Sequence, residues 1–257
     1  MQYQLMLSLI SGIFISGVAS YLGTLMLSKK MSVVAEPLAH LAFPGVALAI
    51  ILGFNISLGV APFVILGAIL IWLLEERTKL PMENLSAIVF AAGVGGALLF
   101  LPVDKAEEIL VGKIEKITYP ETIIVVISSL LVFYIIQQLY QKMMLINVHE
   151  DLAIIEGINI KLYNLFYLLS IAIAVALGVD LVGGLITTAL IAIPPAAARN
   201  ISKGLKLYKI LAVILGVIAA IAGILIAHFL HLPTGPMVVV SNVILFLISL
   251  VFHKKVF

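Results

Sequence analysis

The chain contains no cysteine and little charge; Asp, Glu, Lys and Arg make up 11% of its 257 residues. Without cysteine there are no disulfides, no thiolate metal ligands and no Cys nucleophile. Globular proteins carry about 25% charged residues, so a soluble domain of this length would lack the polar surface to stay dispersed. No G-x-x-x-x-G-K-[ST] phosphate loop occurs either. Gly112-Lys113 has Glu107 where the first glycine would stand, so the chain does not bind ATP by the P-loop mechanism. The first apolar run has no basic region before it and continues to Leu27, too long for the core of a cleavable signal peptide. Nucleic-acid binding has no support in so apolar a composition.

What the sequence does have is apolar length. Hydrophobic residues are 63% of the total, the mean hydropathy is +1.25, and runs of 18 or more recur from end to end. Each is long enough to cross a ~30 Å hydrocarbon core as a helix, and an outer-membrane barrel would show ~10-residue alternating segments instead. Nine spans are expected, near 3–27, 33–53, 56–74, 84–102, 121–141, 162–179, 181–198, 208–230 and 236–252. Only Asp180 and its neighbours separate the sixth from the seventh, as a tight hairpin or one broken pair, so eight is the alternative count. The fold class is all-α: a single polytopic membrane domain over residues 1–257.

Charge placement sets the orientation. With the N-terminus outside and nine crossings, 12 of the 15 basic residues face the cytoplasm: Lys29, Lys30, Arg77, Lys79, Lys142, Lys161, Arg199, Lys203, Lys206, Lys209, Lys254 and Lys255. Lys105, Lys113 and Lys116 remain outside, mixed with acids. The positive-inside rule favours this arrangement, a multi-pass protein of the cytoplasmic membrane with its C-terminus inside.

Glu36 is the one acid clearly inside a span, where an ionisable side chain costs at least ~2.5–3.5 kcal/mol to insert. His40 follows four residues later, ~40° around a helix and ~6 Å along it, on the same face. A carboxylate and an imidazole so placed make half of a divalent-metal site; a packing hydrogen bond is the plain alternative. Pro37 cannot donate to the helix ladder, so a kink or a fresh helix start is expected there, and broken helices at depth are where transporters place ion sites. Asp180, at a span boundary, is a weaker candidate. His228 and His231 at the outer end of the eighth span read as interfacial side chains or an outer metal contact. His149 and His253 read as solvated. The Gly93–Gly96 and Gly183-Gly184 patches read as close helix packing.

The segment from His149 to Gly157 is unlike its surroundings. Glu150 and Asp151 suit a helix start, Leu152, Ile155 and Ile158 can share one side, and Gly157 can end the helix. A short cytoplasmic amphipathic helix of this kind rests on the membrane or docks into a partner.

With these residues in place a family likeness is visible. Glu36-x-x-x-His40-x-x-Phe43-Pro44-Gly45 resembles the acidic-x-x-x-His-x-x-x-Pro-Gly signature of permeases from zinc/manganese-type ABC importers. Asp151–Gly157 resembles their coupling helix. The stretch from Val182-Gly183-Gly184-Leu185 to Pro194-Pro195-Ala196-Ala197-Ala198-Arg199 is similar to a further family motif, and Leu232-Pro233-Thr234-Gly235-Pro236 to an outer-loop turn. The four occur in the family's order from about residue 8 to 252. Glu36 stands where Asp is usual, Ala39 where Ser is common, and Pro37 is a departure; the longer acidic arm bears on metal choice. The resemblance implies a homodimer with two cytoplasmic ABC ATPase subunits and an external metal-binding protein. The transported metal, zinc or manganese in the first place and otherwise iron, would be held transiently by Glu36 and His40, with no permanently bound cofactor. ATPase coupling would run through Glu150, Asp151, Ala153 and Gly157, and ATP hydrolysis would belong to the separate subunit.

Other readings have specific marks against them. A permease for iron chelates or cobalamin is typically longer and needs no acid–His pair at depth. A secondary transporter coupled through Glu36 and Asp180 leaves the 150–157 segment unexplained. An intramembrane metallohydrolase lacks H-E-x-x-H or a comparable motif.

Overall fold

Backbone amides in hydrocarbon must bond within their own segment, and every regular element described in this chain is a helix. The computed structural model describes residues 2–28, 35–53, 56–99, 117–181 and 183–252. Among them run eleven helices: α1 (Gln2–Ser28), α2 (Ala35–His40), α3 (Ala42–Leu52), α4 (Ile56–Thr78), α5 (Met82–Leu98), α6 (Tyr119–Val148), α7 (Glu150–Ile155), α8 (Ile160–Leu181), α9 (Gly184–Ile201), α10 (Leu205–Leu230) and α11 (Thr234–Val251). Six of these, α1, α4, α6, α8, α10 and α11, are long and apolar enough to cross a membrane, and α5 is a shorter apolar helix. The second expected span is two short helices joined at Leu41.

α1 is the central post. Ser8, Ser16, Ser20 and Thr24 recur every four or eight residues and are all buried, forming a stripe of small polar side chains that lets neighbours approach closely. Each contact has its own chemistry. Ser11 Oγ donates to Thr122 Oγ1 at 3.4 Å and Thr24 Oγ1 meets the Tyr140 hydroxyl at 3.0 Å, both on α6. A Cβ on Gly216 of α10 would run into Ser20. On α9, Pro194 has no N–H to offer the carbonyl of Leu190 four residues earlier; the Ser20 hydroxyl donates to that carbonyl instead, at 3.3 Å. Gly23 packs beside the next carbonyl, that of Ile191, which Pro195 leaves in the same condition.

The ends of the bundle are fixed by side-chain ties. Lys161 pairs with Glu76, and the Trp72 indole N–H donates to the Lys161 carbonyl at 3.1 Å, joining the end of α4 to the start of α8. Lys142 lies 5.2 Å from the Tyr163 ring centroid and Lys209 4.2 Å from that of Tyr140. Asn200 Nδ2 donates to Ser249 Oγ at 2.9 Å, joining the ends of α9 and α11. All eight described Lys and Arg residues (Arg77, Lys79, Lys142, Lys161, Arg199, Lys203, Lys206 and Lys209) therefore sit at one end. The start of α1 is at the other, where Gln4 Nε2 donates to the Ile117 carbonyl at 3.0 Å.

α8 and α9 form a tight hairpin. Gly183 takes a φ of +98°, its N–H donates to the Gly178 carbonyl at 3.1 Å, and Gly178 packs against Thr187. Asp180 lies in the last turn of α8, opposite the basic end. Lys105, Lys113, Lys116, His253 and the first cluster, Lys29 and Lys30, lie outside the described residues.

Candidate metal path

Two prolines shape the site. Pro37 is the third residue of α2 and Pro44 the third of α3, first-turn positions where a missing N–H is harmless. Pro44 also denies a donor to the carbonyl of His40 and would crowd it in a continuous helix. The helix accordingly stops at His40, turns at Leu41 and restarts at Ala42. Leu41 N–H is shared between the Pro37 and Leu38 carbonyls, at 3.2 Å each.

Glycines hold this elbow in place. The Leu41 side chain fills the space that a Cβ would need at Gly67, the middle residue of α4, and at Gly93 of α5. Just beyond it, Gly45 and Gly59 bring the backbones of α3 and α4 together so closely that a methyl on either would strike the other's carbonyl. The elbow thus lies at mid-depth of its neighbours, where transporters with discontinuous helices bind their ions.

Glu36 is exposed and His40 half-buried, although Ala35, Pro37, Leu38 and Ala39 between and beside them are buried. The expected carboxylate–imidazole pair is therefore on one outward face. The His40 ring is held on three sides. Its Nδ1 lies 2.9 Å from the Glu36 carbonyl oxygen; a carbonyl only accepts, so Nδ1 carries the proton. The ring meets Phe43 edge-to-face with centroids 5.5 Å apart, and Phe90, the middle residue of α5, at 5.1 Å. In the neutral imidazole this leaves the Nε2 lone pair as the free ligand, with the opposite nitrogen fixed by a backbone carbonyl, the usual support of a metal-binding histidine. No group of three or more His, Asp or Glu gathers among the described residues; at the elbow they offer one acid and one imidazole. His228 and His231 lie at the end of the bundle opposite the basic residues. His231 closes α10 in the left-handed region, at φ 54°.

The segment 149–158 is a short helix with a specific stop. The Ile158 N–H donates to the Ala153 carbonyl at 3.0 Å and the Gly157 N–H to Ile154 at 2.9 Å, with Gly157 at φ +72°. This is the Schellman pattern, its glycine in the left-handed position. Leu152 and Ile155 are exposed, as are Ile154 and the acids Glu150, Asp151 and Glu156. Ile158 departs from the expectation of a shared side: the cap folds it back, half-buried, against the core. Ala153 is fully buried, so it seats α7 on its own chain.

Of the Gly93–Gly96 patch, only Gly93 packs as expected; Gly95 and Gly96 are exposed, with open space where a Cβ would stand. Phe90 and Gly67 carry no motif of their own and are invisible to spacing arguments, being ~25–50 residues from His40 and brought to it only by folding.

An all-helical bundle with six membrane-length helices and a broken one bearing an acid and an imidazole defines a multi-pass membrane transport protein. The chain belongs to the ABC 3 transport family, whose model matches residues 1–253. It is 30% identical over 249 residues to the high-affinity zinc uptake system membrane protein ZnuB of Haemophilus influenzae, covering 95% of each chain. It is 24% identical to the manganese transport system membrane protein MntC of Listeria monocytogenes, over 99% of this chain and 93% of that one. Its fold is like that of PsaBC from Streptococcus pneumoniae, solved in complex with Fab, with a TM-score of 0.81 at 22% identity, over 94% of this chain and 89% of that one.

Proposed function

We propose that this chain is the permease subunit of an ATP-driven importer for a divalent transition metal, zinc or manganese in the first place, working as a homodimer. One observation carries the reading. Glu36 and His40 share an exposed face of a Pro-broken elbow at mid-depth, with Nδ1 of His40 engaged and Nε2 free. Two copies facing one another supply two carboxylates and two imidazoles, a full four-coordinate set. Relatives named for zinc and for manganese uptake support the substrate class.

The two half-sites pass the metal along the dimer seam and release it when ATP-driven motion draws them apart. Hydrolysis belongs to two separate ABC ATPase subunits, which α7 meets with Leu152, Ile155 and the acids Glu150 and Asp151; Gly157 sets the geometry and Ala153 the seat. An external metal-binding protein delivers the ion on the far side, where Asp180 contributes charge to the vestibule. The chain crosses the membrane eight or nine times, the shorter α5 and α9 and the α2–α3 pair adding to the six long helices. The basic end lies in the cytoplasm and the N-terminus outside.

The test is radiolabelled zinc or manganese uptake into proteoliposomes holding the full complex. Glu36→Gln and His40→Ala should each cut uptake at least tenfold at matched protein levels. Near-wild-type uptake by both variants would leave Glu36 and His40 as packing residues and refute the metal path.

A further inference from the structure

The charge at the basic end of the bundle is unevenly divided. α1, α9, α10 and α11 pack against one another as one half of the molecule, and none of the four contains an Asp or Glu. The last acid in the sequence is Asp180, and the charged residues after it are six Lys and Arg. All the acids described at the basic end, Glu75, Glu76, Glu83, Glu150, Asp151 and Glu156, belong to the other half, on α4, α5 and the α6–α8 connection. There Glu76 already pairs with Lys161. Lys209 is turned onto the Tyr140 ring. Among the described residues of this half that leaves Arg199, Lys203 and Lys206, all exposed, on elements that carry no acid.

Their setting is apolar. Leu205 and Leu207, beside Lys206, are 43% and 45% exposed, and Phe252, just past the α11 end tied to Asn200, is 61% exposed. α10 becomes a membrane-length apolar helix at Leu205, two residues after Lys203. The three cations therefore stand at the end of an exposed apolar surface, with stems long enough to reach outward.

We infer that Arg199, Lys203 and Lys206 form a docking patch for anionic phospholipid headgroups of the surrounding leaflet. The counter-charge that the protein omits on this half is supplied by the membrane, whereas the acid-bearing half is left for a protein partner. Each basic residue near an anionic surface strengthens the attraction about fivefold, and the adjacent Leu205, Leu207 and Phe252 sit among acyl chains.

The experiment is native mass spectrometry of the full chain, released from nanodiscs containing equal phosphatidylglycerol and phosphatidylcholine, counting the lipids retained. The wild type should keep phosphatidylglycerol over phosphatidylcholine, and R199Q/K203Q/K206Q should lose that preference. R77Q/K79Q/K142Q, on the mixed-charge half, should keep it, as should the charge-preserving R199K/K203R/K206R. Single K203Q gives a partial loss readable even if the triple variant inserts poorly. Unchanged preference in K203Q and R199Q/K203Q/K206Q, or equal loss in R77Q/K79Q/K142Q, overturns the inference. So does a K203Q chain with wild-type lipid retention that no longer copurifies with an ATPase, since the patch would then dock protein. None of these readouts depends on Glu36 or His40.

Discussion

Replacing Phe90 with leucine isolates what the ring-to-ring contact does for the metal path. Leucine keeps most of the apolar volume that α5 presents to the elbow, so Leu41 stays in its slot between Gly67 and Gly93. What goes is the edge-to-face contact with His40 at 5.1 Å, one of three restraints on that imidazole. An aromatic pair of this geometry contributes about 0.5–1.5 kcal/mol beyond buried area. If it all serves to aim Nε2, the half-saturating metal concentration should rise roughly 2- to 13-fold, while maximal rate and assembly hold. The assay is metal-concentration dependence of uptake in proteoliposomes with the full complex, for wild type, Phe90→Leu and Phe90→Tyr. Tyrosine keeps the ring and should stay near wild type. An unchanged half-saturation in Phe90→Leu, or equal shifts for Leu and Tyr, would show that Phe90 packs and does not position. Loss of maximal rate with unaltered half-saturation would refute it too.

Ser20→Ala should strand the Leu190 carbonyl in the core and lower stability by about 1–3 kcal/mol, seen as a lower thermal midpoint in detergent. Gly45→Leu should be worse, because two backbones must separate; expect loss of folded protein on size exclusion, whereas Gly95→Leu, with open space around it, should leave the isolated chain as stable as wild type. Gly157→Val puts a β-branched residue at φ +72°, costing about 1–2 kcal/mol locally, and should weaken copurification with the ATPase while the protein still inserts. For sidedness, a cysteine at Tyr119 should label from outside and one at Lys203 only after permeabilisation; the reverse pattern would invert every statement about inner and outer faces.

Much of the helix pattern was legible because apolar length alone decides it in a membrane. Glu36 and His40 stood out for the same reason, as groups costly at that depth on one helical face. The stop at Gly157 could be read from glycine's access to left-handed backbone. Other features depended on partners far away in sequence. Pro44 ends α2 through a carbonyl four residues back, yet the cost is acceptable only because Gly67 and Gly93 receive the displaced Leu41. Glycine spacing could not tell Gly93, which packs, from Gly95, which does not, since the difference lies in what another helix places opposite. The same holds for Ser20, whose partner is a carbonyl exposed by a proline 174 residues later.

α6 is 30 residues long, about 45 Å, some 15 Å more than the hydrocarbon core requires. One residue, His149, separates its last turn from α7. Because α7 is locked at its far end by the Gly157 cap and seated by Ala153, it has little slack of its own. In the proposed permease, a displacement applied at Leu152 or Ile155 passes along α6 to Tyr140 and on to Thr24 of the central post. Force delivered at α7 then reaches the central post through one stiff, continuous piece.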